Sequence, residues 1–166
     1  MRALLGLGGN IGNPRVAMAG ALVQLDEWAG RVVCVSRLYR TPPWGLTDQP
    51  DFLNCCALID AALSPESLLQ CCLGIEQGLQ RVRDIRWGPR TIDIDLVDME
   101  GERRDTAALT LPHPQAHRRA FVLVPLVEIA PRTQLSGRDA TAWLRELDVS
   151  AIRAETTDGN WWRETA

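Results

Sequence analysis

With 166 residues the chain has the length of one domain, and such a domain buries roughly 70% of its unfolded-chain surface without needing disulfides or metals to fold. Its net charge of −3 argues against non-specific attraction to nucleic acid or to an anionic membrane surface. All 18 basic residues are arginine, which excludes a P-loop lysine and a Schiff-base lysine and leaves guanidinium groups and backbone N–H to hold any phosphate.

Residues 2–8 are apolar and end among Gly6, Gly8, Gly9 and Gly12, which predicts a strand running into a tight loop. Asn13 as cap and Pro14 at the first helical position open a helix over 14–28, with Val16, Ala19, Leu22, Val23 and Leu25 at helical spacing. The β-branched stretch 31–40 predicts a second strand, followed by a proline-rich loop over 41–50 and a third strand over 52–61. Ser64, Pro65 and Glu66 open a second helix reaching about residue 80, and a strand over 90–97 follows an arginine-rich loop. The order β-α-β-β-α-β predicts an α+β fold with a ferredoxin-like core and a largely antiparallel sheet. C-terminal additions comprise a short strand at 109–111, a helical turn near 125–129 and a helix near 140–147. We expect a single domain over 1–153 and a frayed tail over 154–166, with Trp161 and Trp162 as its one point of docking.

The five cysteines, Cys34, Cys55, Cys56, Cys71 and Cys72, form neither a disulfide framework nor a C-x-x-C pair. They read as small buried hydrophobes of a reducing cytosol, in preference to a zinc site. No apolar run approaches a membrane span, and the N-terminal one is too short for a secretory signal, so a cytoplasmic protein with no membrane partner is expected.

Residues 81–95 carry the chemistry. Four arginines, Arg81, Arg83, Arg86 and Arg90, precede an alternation in which Ile92, Ile94 and Leu96 face one way and Asp93 and Asp95 the other, their Cα atoms about 7 Å apart. Two aspartates on one strand face repel unless a cation lies between them, and carboxylate oxygens suit Mg²⁺. Arginines beside such a pair suit the anion that arrives with the metal, so the segment points to a polyphosphate nucleotide. Two other readings are weaker. Gly6-x-Gly8 lacks the third glycine in the dinucleotide-fingerprint position, and no acidic residue ends the following strand. An RNA-binding sheet needs exposed aromatics and a basic surface, whereas this chain has two Phe, one Tyr and an acidic balance. His113 and His117 stand four apart, but Pro114 between them argues against a helical metal pair.

The chain resembles the 6-hydroxymethyl-7,8-dihydropterin pyrophosphokinases in five blocks in that family's order. They are Leu-Gly-Leu-Gly-Gly-Asn-Ile-Gly at 5–12, Ser36-x-x-Tyr-Arg-Thr-Pro-Pro-x-Gly45, Asp-Gln-Pro-Asp-Phe-Leu-Asn at 48–54, residues 76–95 with Arg-Trp-Gly-Pro-Arg-Thr-Ile-Asp-Ile-Asp at 86–95, and Leu-Pro-His at 111–113 with Arg119-x-Phe121-x-Leu123-x-Pro-Leu126. The resemblance implies transfer of a diphosphate from ATP to the pterin hydroxymethyl oxygen with release of AMP, by a monomer whose partners are these two small molecules. It implies two Mg²⁺ ions on Asp93 and Asp95, with Arg81 and Arg90 neutralising charge on the phosphoryl oxygens. It further implies nucleotide contacts from Glu76, Arg83, Arg86, Trp87, Thr110, His113 and Arg119. On the pterin side it implies rings from Phe52 and Phe121, an edge contact from Asn54, and a loop of Thr41, Pro42, Pro43 and Trp44. One departure is Gln80, where the family commonly has glycine, which bears on closure of the following loop.

Overall fold

The computed structural model describes residues 1–43, 45–79 and 91–165. The elements in order are β1 (Arg2–Gly9), α1 (Pro14–Trp28), β2 (Gly30–Val35), β3 (Tyr39–Thr41), β4 (Phe52–Ala61), α2 (Pro65–Gly78), β5 (Asp93–Met99), β6 (Arg104–Asp105) and β7 (Thr110–Leu111). A single 3₁₀ turn (Ala116–Arg118) then leads to α3 (Ala120–Ile129), β8 (Gln134–Leu135), β9 (Arg138–Asp139), α4 (Ala140–Leu144), β10 (Arg153–Ala154) and α5 (Trp161–Thr165). The two long helices begin as their caps require: Asn13 Oδ1 accepts from Val16 N–H at 3.2 Å, Ser64 Oγ accepts from Ser67 N–H at 3.2 Å, and a proline follows each cap.

The main sheet has six strands in the order β10-β3-β4-β1-β5, with β2 pairing β4 beside β3, and every pairing is antiparallel. Alternation along each strand divides the interior in two. Leu5 and Leu7 of β1, Cys55, Ala57 and Ile59 of β4, and Ile94 and Leu96 of β5 pack against Met18, Leu22 and Leu25 of α1 and Leu68, Cys72 and Ile75 of α2. On the other face, Leu4, Cys56 and Val97 meet Val122, Leu123 and Leu126 of α3. The sheet therefore lies between two helical layers, and the second layer is made by the C-terminal additions. Among the described residues no helix is long and apolar enough to cross a membrane.

Three elements differ from the sequence expectation. The predicted strand 31–40 breaks into β2 and β3 around Ser36, whose Oγ accepts from Cys56 N–H at 3.0 Å and donates to Arg37 O at 2.8 Å. A side chain thus takes over part of the ladder. The helical turn expected near 125–129 is a ten-residue helix starting at Ala120, with Pro125 buried inside it. The frayed tail is ordered: β10 adds to the sheet edge, and Trp161 and Trp162 are 2% and 5% exposed in the core. Those two indoles bury enough apolar surface to hold a segment whose sequence shows no periodicity.

Candidate active site

Strand register builds the floor of the site. Gly8 lies opposite Asn54 on β4 and opposite Asp93 on β5, and Gly6 lies opposite Cys56 and Asp95. Directly opposed residues project to the same face, so Asp93, Asp95 and Asn54 all point to the α3 side of the sheet. Between them, the two glycines leave bare backbone. Asp93 and Asp95 are half-buried while Ile94 and Leu96 are fully inside, as the alternation predicts. A β-carbon added at Gly8 would stand 2.4 Å from Asn54 Oδ1, so the absence of a side chain there is what makes room for that amide.

Glu76 approaches β5 from α2. It is 2% exposed, and its Oε1 accepts from the Ile94 N–H at 2.6 Å, the amide between the two aspartates. Resemblance assigns this residue to the nucleotide; the structure gives it a position from which it holds the backbone that carries both carboxylates.

The covering elements bring cationic and aromatic groups. Arg119 caps α3 and places Nη1 4.0 Å from Asp95 Oδ2, with its guanidinium 5.9 Å from the centre of the Phe121 ring. His113 is fixed by its backbone, which donates to Val97 O at 2.8 Å, and its Nδ1 accepts from Gln115 N–H at 3.1 Å. That bond puts the ring proton on Nε2. Burial, reinforced by the Arg119 charge and opposed by Asp93, pushes the His113 pKa down to about 4. The ring is therefore a neutral N–H donor throughout the physiological range. An ordinary histidine in the unfolded chain protonates first as pH falls, so the stability this site contributes above about pH 6.5 should be lost progressively toward pH 4. A ¹H–¹⁵N titration of the metal-free protein should find the His113 ring midpoint near 4; a midpoint above 6 would contradict its buried setting. His117 does not join it, because its ring packs 4.7 Å from that of Trp143. Thr110 lies half-buried on β7, paired with Asp105.

On the β3 side, Asn54 Nδ2 donates to Thr41 Oγ1 at 2.6 Å, both residues being buried. Pro42 is exposed and Pro43 half-buried just beyond. Phe52 and Phe121 are both half-buried: Phe52 belongs to neither core cluster, and Phe121 lies at the rim of the second. Sequence reasoning passed over three residues that shape this region. Asn10 donates from Nδ2 to Gln49 Oε1 at 3.0 Å and Pro50 O at 2.9 Å, tying the end of β1 to the proline-rich loop. Tyr39 donates its hydroxyl to Glu128 on α3, which also accepts from Arg37 N–H at 2.9 Å. Burial and the Glu128 carboxylate push the Tyr39 hydroxyl up to about 12, so it remains a donor. The signal for Asn10 and Tyr39 was their place inside the quoted motif blocks; Glu128 had none.

Trp44, Arg81, Arg83, Arg86, Trp87 and Arg90 lie outside the described residues, as does Gln80. Among the described residues no three His, Cys, Asp or Glu side chains gather as a self-contained metal centre. The donor set still fits Mg²⁺, which is commonly held by one or two carboxylates plus substrate phosphates. Asp93 and Asp95 would supply the protein's share.

The model of the 7,8-dihydro-6-hydroxymethylpterin-pyrophosphokinase family matches residues 4–131. A 2-amino-4-hydroxy-6-hydroxymethyldihydropteridine pyrophosphokinase from Methylorubrum extorquens is 51% identical over 152 residues, covering 91% of this chain and 96% of that protein. The folic acid synthesis protein fol1 of Schizosaccharomyces pombe is 42% identical over 130 residues, which cover 78% of this chain and only 18% of that protein. Among solved structures, the Plasmodium falciparum HPPK-DHPS crystal structure with SDX-DHP superposes with a TM-score of 0.66 at 15% identity, over 87% of this chain and 43% of that one. At that identity the likeness concerns the fold, and the chain spans less than half the length of that solved protein.

Proposed function

This chain belongs to the 7,8-dihydro-6-hydroxymethylpterin-pyrophosphokinase family, and we infer that the reaction for which that family is named runs on the sheet face carrying Asp93, Asp95 and Asn54. The protein is a kinase-type transferase that moves a diphosphate group from ATP to the hydroxymethyl group of 6-hydroxymethyl-7,8-dihydropterin, releasing AMP, in folate synthesis. The hydroxymethyl oxygen forms the new bond to the β-phosphorus and gives up its proton to solvent, while the bond from that phosphorus to the oxygen bridging to the α-phosphate breaks and AMP leaves with that oxygen.

The cross-strand row Asp93–Gly8–Asn54 carries the assignment of residues. It sets a carboxylate for the phosphate end and an amide for the heterocycle end on one face, with bare backbone between. Asp93 and Asp95 would hold Mg²⁺, two ions by resemblance to the family; bound there, the metal would neutralise phosphate charge and align the chain of phosphates. Arg119 adds positive charge beside Asp95, and neutral His113 offers an Nε2–H to a phosphate oxygen without repelling the metal. Arg81 and Arg90 are assigned to charge building up in the transition state, with Arg83, Arg86 and Trp87 as accessory nucleotide contacts. Thr41, Pro42, Pro43 and Trp44 are assigned to the pterin edge, and Thr110 to the nucleotide side. The two-helix crossover pattern, with β4 between β2 and β1 and β1 between β4 and β5, supports describing the core as ferredoxin-like. A cytoplasmic monomer is the working state, and five free thiols suit a reducing compartment.

Incubation with ATP, Mg²⁺ and 6-hydroxymethyl-7,8-dihydropterin tests the function, and AMP should form in step with pterin consumption. ADP as the nucleotide product would assign an ordinary kinase instead. A second experiment separates pocket from core. Phe121 is only half-buried, so Phe121→Ala should cost clearly less than the roughly 3–5 kcal/mol of a core phenylalanine, yet weaken pterin binding strongly. Phe52→Ala should behave alike. A variant that is severely destabilised but titrates pterin normally would return that ring to the core.

A further inference from the structure

We propose that the C-terminal segment 153–165, which lies beyond the family-matched residues 4–131, is a positioning element that holds the pterin edge of the sheet in register. The inference rests on the functional reading above for the identity of the ligand.

β3 is three residues long, at the short end of the range for strands, so its ladder with one neighbour has few hydrogen bonds. Its inner edge pairs with β4, Tyr39 opposite Asn54 and Thr41 opposite Phe52. Its outer edge is taken by β10, Arg153 opposite Arg40 and Ala154 opposite Tyr39. Among the described residues, the backbone leading into β3 has no regular ladder on its outer side, and the tail supplies the partners one by one. Trp161 Nε1 donates to Ser36 O at 3.0 Å, Leu38 N–H donates to Thr156 Oγ1 at 3.0 Å, and Glu155 N–H donates to Leu38 O at 2.7 Å. Arg40 Nε adds an ion pair to Glu155 Oε1 at 2.6 Å.

The far end of the segment is anchored independently of β3. A β-carbon at Gly159 would stand 1.8 Å from Val35 O, so the tail passes directly against the end of β2. Trp161 and Trp162 then lie in the core, and Thr165 Oγ1 accepts from Arg15 Nε of α1 at 3.1 Å. The tail is thus a strut from the α1 layer to the outer edge of β3. On the inner edge of that strand sit the Thr41 hydroxyl that accepts from Asn54 and the backbone leading to Pro42 and Pro43. Slippage of β3 by one residue would turn Thr41 to the opposite face and leave the Asn54 amide without that partner. Asp93 and Asp95 lie on β5, separated from β3 by β4 and β1, and His113 and Arg119 lie beside them, at the other end of α3 from the Glu128 that Tyr39 meets, so the strut acts on one substrate and not the other.

The test uses the full chain with Thr156→Val and Trp161→Phe together, which removes the partners of Leu38 N–H and Ser36 O, near-isosterically at Thr156 and with a smaller aromatic ring at Trp161, alongside a chain ending at Ile152. Hydrogen exchange at the amides of residues 38–41 should quicken, and affinity for 6-hydroxymethyl-7,8-dihydropterin should fall about tenfold while ATP affinity stays within about twofold. If the shortened chain does not fold, the double variant decides. Pterin affinity unchanged in a folded variant, or pterin and ATP affinities lost together in proportion to stability, would overturn the proposal. If the unaltered protein binds no hydroxymethyl-dihydropterin, the functional reading fails instead, and the exchange measurement alone still decides whether the tail holds this edge.

Discussion

Asp95→Asn should lower turnover by on the order of a hundredfold or more while leaving the fold in place, and Asp93→Asn should do the same. Both side chains are half-buried on a face lined by glycine, so an isosteric amide meets no new contact. What it removes is a negative oxygen from a pair that opposes metal and phosphate. Asp95 also stands 4.0 Å from Arg119, so its replacement should additionally release that guanidinium and raise the ATP KM more than Asp93→Asn does. Melting temperatures without metal should be close to that of the unaltered protein, since relief of like-charge repulsion on the strand face offsets, at Asp95, the loss of the Arg119 pair. Unchanged turnover of either variant at limiting Mg²⁺ would remove the carboxylates from the mechanism.

The second large effect is expected from a methyl group. Gly8→Ala would put a β-carbon 2.4 Å from Asn54 Oδ1 and 3.5 Å from Leu53 O, and the amide must move. Moving it breaks its 2.6 Å bond to Thr41 and withdraws the donor and acceptor assigned to the heterocycle edge. A buried polar reader that is lost or misaligned costs far more than an apolar contact, so pterin affinity should drop on the order of a hundredfold. Gly6→Ala is the control for stability: its nearest neighbour would be Val97 Cγ2 at 3.7 Å, an ordinary contact. Equal pterin affinities in Gly8→Ala and the unaltered protein would mean that Asn54 does not read the ring.

The half-buried strand is legible in the sequence because Ile92, Asp93, Ile94, Asp95 and Leu96 repeat with the period of a pleated strand, and β5 keeps that alternation. The long helices are legible from Asn13–Pro14 and Ser64–Pro65, signals that act within a few residues. What sequence reasoning misses is long-range. Splitting of 31–40 depends on Glu128 and Trp161, which reach Arg37 and Ser36 from far along the chain. The start of α3 is misplaced because Pro125 looks like a boundary, whereas tertiary packing of Val122, Leu123 and Leu126 outweighs the missing N–H. Gly6 and Gly8 read locally as loop punctuation. Their spacing of two, interleaved with Leu5 and Leu7, carries the alternative that they line one face of a strand.

The adjacent thiols Cys55 and Cys56 point to opposite faces of β4, one beneath the α1 and α2 layer and the other toward α3, where Cys56 Sγ lies 3.6 Å from Val122 O. Burial raises both thiols well above the usual range, and Cys72 likewise, whereas Cys34 and Cys71 remain partly exposed. Alkylation of the native protein should therefore proceed in two stages, with Cys34 and Cys71 reacting first and the other three only when their layer opens. Cys56 then times the detachment of α3, and Cys55 with Cys72 times the loss of the opposite layer. The chain carries its own pair of clocks for the order in which its two interiors come apart.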